Sequence, residues 1–186
     1  TAFFTARAPG NRHFWQRYVP LAPWNTDIMV DLIKTAQQSG LTAKYVLFDS
    51  WFTSPKTITA LKQKQKLDII AMVKKSSKVK YGYNGKALNI KEIYSRNKKR
   101  RGCSKYLLSI EVTVGEDAIP AKIVCVWNKS RKKDWLAIIS TDTDLSEEEI
   151  IRIYGKRWDI EVFFKSCKSY LHLVKECRSL SYDALT

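Results

Sequence analysis

Histidine occurs only twice in the 186 residues, at His13 and His172, and the four cysteines, Cys103, Cys125, Cys167 and Cys177, never stand in C-x-x-C spacing. A zinc site has no ligand set of the usual pattern here, and reduced thiols in a reducing compartment are the better reading. Long apolar runs are missing as well. No stretch reaches the length of a membrane span, and Thr1 to Trp24 has no apolar core of the kind a signal peptide needs. The expectation is a soluble, cytoplasmic chain with no membrane partner. Scarcest relative to its opposite is negative charge: 18 Asp and Glu stand against 33 Lys and Arg, a formal net charge of +15. Such an excess points to a polyanion, because Lys and Arg that replace condensed counterions drive sequence-independent binding to nucleic acid. Charge alone leaves open a basic protein with no such partner.

With 45% hydrophobic residues, the chain can bury one real core and has room for a second, small lobe. Thr1 to Trp24 mixes aromatics with Arg7, Arg12 and Arg17 and is broken by Pro9-Gly10, Pro20 and Pro23, so we expect a partial strand and an extended arm that packs on the domain. Asn25-Thr26-Asp27 can cap a helix whose apolar stripe is Ile28, Met29, Leu32, Ile33 and Ala36 and which ends at Gly40. Ala43 to Phe48 reads as a strand buried on both faces, followed at once by Asp49. The C-terminal ends of strands in open α/β sheets are where ligands and catalytic groups collect. The alternative is that Asp49 only caps the turn into Ser50-Trp51-Phe52. Ser54 as cap and Pro55 in the first turn start a helix to about Lys66, and Leu67 to Val73 is the next buried strand. Helix, strand, helix, strand makes a wound α/β unit.

The composition changes at Lys74. From there to Lys105, twelve Lys or Arg meet a single acidic residue, Glu92. Tyr83-Asn84-Gly85-Lys86 signals a type I′ hairpin between short strands. The run Arg96 to Lys105 holds Lys98, Lys99, Arg100 and Arg101 and reads as a basic loop. A charge run is usually a solvated face, but one so one-sided is better read as a surface that tracks phosphates. Tyr106 to Val114, Ala121 to Trp127 and Trp135 to Ser140 then form an antiparallel meander.

Ser146 and Glu149 make a capping box ahead of an apolar run, so a helix should start there and continue past Lys168. At roughly 100° per residue, Tyr154, Arg157, Glu161, Lys165 and Lys168 share an arc of roughly 80°. Ile153, Ile160, Phe163, Phe164, Cys167 and Leu171 gather on a neighbouring arc, expected to be buried. The plain interpretation is a surface helix laced by Arg157, Glu161 and Lys165 at i,i+4 spacing. Ser181 to Thr186 looks like the start of a further helix.

Tyr154-x2-Arg157-x3-Glu161-x6-Lys168, set in YGKRWDIEVFFK, resembles the Y-x2-R-x3-E-x6-K motif of DDE transposases from bacterial insertion sequences, in the IS-four-like group. YVLFDSWFTSP resembles the same family, in which the second catalytic aspartate ends a strand and is followed by Ser-Trp-[FY]. The resemblance implies an α/β, RNase H-like core with an inserted antiparallel β meander. Residues 1–73 would be partial core with Asp49, residues 74–140 the basic β-rich insertion, and residues 141–186 the core helix with Glu161. It implies that Asp49 and Glu161 hold Mg²⁺ or Mn²⁺ for phosphoryl transfer, a chemistry that uses two dications roughly 3.5 to 4 Å apart. Tyr154, Arg157, Lys165 and Lys168 would hold phosphates of the transposon end, with Lys98, Lys99, Arg100 and Arg101 as further DNA contacts. Trp135 stands where relatives carry an aromatic that stacks on a flipped base, and an ordinary packed strand-end tryptophan is the alternative. Partners implied are double-stranded DNA, both transposon ends and target, and a second copy in a homodimeric complex, in a bacterial, nucleoid-associated setting. Asp27 and Asp31, the only acidic residues before Asp49, both fall on a helix. We therefore expect a fragment without the first catalytic aspartate, inactive alone. An RNase H-like nuclease and a catalytically dead DNA-binding remnant are the competing readings.

Overall fold

The computed structural model describes residues 3–6, 26–97, 105–128 and 134–170. Lys98, Lys99, Arg100, Arg101, most of the N-terminal arm and the helix expected at Ser181 lie outside the described residues. Lys168 belongs to the last helix by its backbone, but its side chain also lies outside them.

Eight strands form one mixed sheet in the order β1-β2-β3-β8-β7-β6-β4-β5. The parallel part is β1 (Phe3–Ala6), β2 (Tyr45–Phe48) and β3 (Asp68–Met72). A strand in the middle of such a part is covered on both faces, and all four residues of β2 are buried, which is why YVLF runs apolar without alternation. The antiparallel part is β4 (Lys80–Tyr83), β5 (Lys86–Asn89), β6 (Leu108–Val114), β7 (Ile119–Trp127) and β8 (Trp135–Ser140). Between β4 and β5, Asn84 and Gly85 both have positive φ, 49° and 73°, as a type I′ turn demands.

Val46, Phe48, Ile69, Ala71, Ile123 and Ile139 point to one face, under helices α1 (Thr26–Gln38), α2 (Pro55–Lys64) and α3 (Ile90–Asn97). Tyr45, Leu47, Ile70, Val124 and Ile138 point to the other, under Ile150 and Ile153 of α4 (Glu147–Gly155). The caps work as their residues suggest. Ser54 Oγ accepts from Thr57 N at 3.1 Å ahead of Pro55. Ser146 Oγ accepts from Glu149 N, while the Glu149 carboxylate accepts from Ser146 N.

β8 pairs antiparallel with β3, Ile70 opposite Ser140, so one sheet runs through the parallel and antiparallel parts. Strand pairing across so long a separation leaves no local signal. Helix α3 was not expected, although Asn89 and Glu92 form a capping box at its start. The helix from Ser146 is interrupted by a 3-10 turn at Lys156–Trp158 before α5 (Asp159–Tyr170), so a uniform step of roughly 100° does not hold across it. Finally, Phe163 and Phe164 are more than half exposed instead of buried. Periodicity marks an apolar face and says nothing of what covers it. The chain divides into two compact units, Thr1–Tyr154 and Gly155–Thr186.

Candidate active site

In the first unit, Asp49 follows the last residue of β2 at the C-terminal edge of the parallel strands. Its Oδ1 accepts from the backbone N–H of Trp51 at 2.9 Å, so the carboxylate is oriented by its own turn. The turn is held in place by its next residues, since Phe52 and Thr53 are buried. The Thr53 hydroxyl lies 2.9 Å from the Asp49 carbonyl and 2.7 Å from that of Met72, which ties the end of β2 to the end of β3. Neither Thr53 nor this bridge was legible beforehand. Its one advance signal is a hydroxyl four residues after a strand-end aspartate.

The same edge carries cations and aromatics. Lys74 Nζ lies 5.9 Å from the centroid of the Trp51 ring, and Trp51 is 45% exposed. Lys75 Nζ lies 4.3 Å from the Trp135 ring and pairs with Asp134. Hydrogen bonds from Lys75, Asn128 and the Trp135 backbone hold the Asp134 carboxyl down to about 2. Trp135 is stacked on Tyr94 of α3, centroids 4.2 Å apart and planes 14° from parallel. The sequence-predicted base-stacking residue thus has an aromatic partner of its own.

In the second unit, Glu161 lies in the first turn of α5, directly after the 3-10 turn. Both terminal nitrogens of Arg157 reach its Oε1 at 3.3 Å, and the two side chains are only 12% and 16% exposed. This is the i,i+4 pair expected from spacing. Lys165 of the same helix is exposed.

Among the described residues, no three His, Cys, Asp or Glu converge on a metal position. Cys125 is buried, and burial pushes its thiol up to about 12, which keeps it protonated and a poor ligand. Carboxylate oxygens such as those of Asp49 and Glu161 suit a hard dication, so the donor chemistry fits Mg²⁺ or Mn²⁺. Among the described residues, no helix is long and apolar enough to cross a membrane.

Residues 25–186 match the family described as Transposase DDE domain. The chain belongs to that family. No curated protein matches it in sequence. The transposase domain accordingly falls among metal-dependent polynucleotidyl transferases that act on DNA, and its mixed α/β sheet is consistent with that membership. Both carboxylates singled out from the sequence lie within the matched stretch, as do Tyr154, Arg157, Lys165, Lys168 and Trp135.

Proposed function

We propose that this transposase domain cleaves and joins DNA at transposon ends by phosphoryl transfer, on an RNase H-like core, with Asp49 and Glu161 as two of its metal-holding carboxylates. The observation that carries the reading is Asp49 itself. It stands at a strand end in a Transposase DDE domain, with its carboxylate set by the Trp51 N–H and its backbone tied to β3 through Thr53.

Mg²⁺ or Mn²⁺ held there would activate the attacking oxygen and stabilise the leaving 3′ oxygen. The chain's own residues do the rest. The Asp49 turn holds a negative charge in a fixed direction at the sheet edge. Arg157 neutralises Glu161 and offers a planar donor fork that suits phosphate as well as carboxylate. Tyr154, Lys165 and Lys168 supplement it on the transposon end, and Lys98, Lys99, Arg100 and Arg101 track the duplex further out. Trp135 would stack on an extruded base only by giving up its contact with Tyr94.

The test is cleavage by the intact transposase carrying Asp49→Asn or Glu161→Gln. Each is expected to remove Mg²⁺-dependent cleavage while leaving end binding largely unchanged, because the changes take away metal charge neutralisation and no phosphate contact. Cleavage near the wild-type rate in either variant rejects the assignment.

A further inference from the structure

Three features of the first unit meet at Asp49 and are not absorbed by its carboxylate chemistry. Trp51 turns its backbone N–H to Asp49 Oδ1, yet its indole is 45% exposed between neighbours that are anchored, with Phe52 and Thr53 buried. Lys74 leaves the adjacent strand end, just after the buried Val73, and its ammonium lies 5.9 Å from the indole centroid. The third is rigidity: the Thr53 hydroxyl bridges both strand ends, so the two side chains start from backbone that is tied together.

Scattered exposed aromatics are ordinary. Here, however, the flat π-face lies two residues from a candidate metal-holding carboxylate, on a turn fixed at both sides, with a cation over it. A flat aromatic face beside a cation matches one ligand chemistry well, a nucleotide with its base out of the stack and its phosphate near the ammonium.

We propose that Trp51 and Lys74 form a nucleotide platform beside Asp49, the indole stacking on an unstacked DNA base and the ammonium pairing with its phosphate. The proposal rests on Asp49 belonging to the reaction centre. It adds that the strand is held there by stacking as well as by charge, which gives the site a preference for DNA that is frayed or distorted next to the cut.

The test uses the full chain without metal, so that binding is read apart from cleavage. The probe is a DNA duplex with a short single-stranded overhang carrying 2-aminopurine, whose fluorescence is quenched by stacking. The expected result is quenching by the wild-type chain that is lost in Trp51→Ala and kept in Trp51→Phe. Affinity for the overhang probe should fall at least about fivefold in Trp51→Ala, with affinity for a blunt, fully paired duplex nearly unchanged. Lys74→Ala should keep the quenching and lower the slope of log K against log salt by about one unit. Trp51→Leu guards against misfolding, since it keeps apolar bulk but has no π-face, and it should bind as Trp51→Ala does. Quenching by Trp51→Ala or Trp51→Leu equal to wild type overturns the platform, as does an equal loss of affinity for paired and overhang DNA. Either failure leaves the Asp49 and Glu161 assignment standing, which only the cleavage assay tests.

Discussion

The Thr53 hydroxyl shares its one proton between the Asp49 and Met72 carbonyls, at a position that is only 5% exposed. Thr53→Val keeps the shape and removes the donor, so both carbonyls lose a partner. We expect a loss of about 1–3 kcal/mol in urea unfolding, with Thr53→Ser close to wild type. Equal stability of the valine variant would show that the bridge adds nothing. At Asp134 the effect is on pH. Its folded value, about 2, lies below the usual value near 3.9. The stability it contributes is therefore present above about pH 4 and lost as pH falls toward 2. Asp134→Asn should show a flatter decline of Tm between pH 4 and pH 2 than the wild type, and parallel declines would contradict the assignment. Asp49 and Glu161 were visible in the sequence because each sits in a short local pattern. The pairing of Trp51 with Lys74 was not, because it joins residues that follow different strands and meet only through sheet register.

Elements whose signals are local were legible: the buried run of β2, the Ser54-Pro55 start of α2, the Asn84-Gly85 turn and the Ser146-Glu149 cap all form as their residues dictate. Helix α3 shows the limit of that reading, since IKEIYSRN is short and buries only Ile90 and Ile93 below a charged face. The order of strands was illegible for a different reason, namely that β3 meets β8 and the hairpin meets β6 through contacts distant in sequence. That last junction is narrow. Gly82 stands opposite Thr113, and a Cβ built on Gly82 would lie 2.2 Å from Thr113 Oγ1. Gly82→Ala should therefore destabilise the domain, and Thr113→Ala should recover part of the loss. A double-mutant cycle is expected to give a coupling of about 0.5–3 kcal/mol, and strict additivity would mean that the hairpin shifts without cost.

Over the whole molecule, charge separates binding from chemistry. With +15 on 186 residues, the chain should bind duplex DNA with little sequence preference and a steep salt dependence. Replacing Lys98, Lys99, Arg100 and Arg101 together by Ala should lower the slope of log K against log salt by roughly three to four units, if each meets one phosphate. An unchanged slope would reduce that run to a solvated face. The sheet has a consequence of another kind, in the order of events during synthesis. Thr141 accepts from the backbone of Ile69, 72 positions away, and β8 alone covers the free side of β3. A nascent chain must hold β3 half-paired until Ser140 has left the ribosome, at about 5–20 residues per second. Ribosomal stalling between β3 and β8 would therefore leave an apolar strand edge waiting for several seconds, long enough to recruit a chaperone or a neighbouring chain.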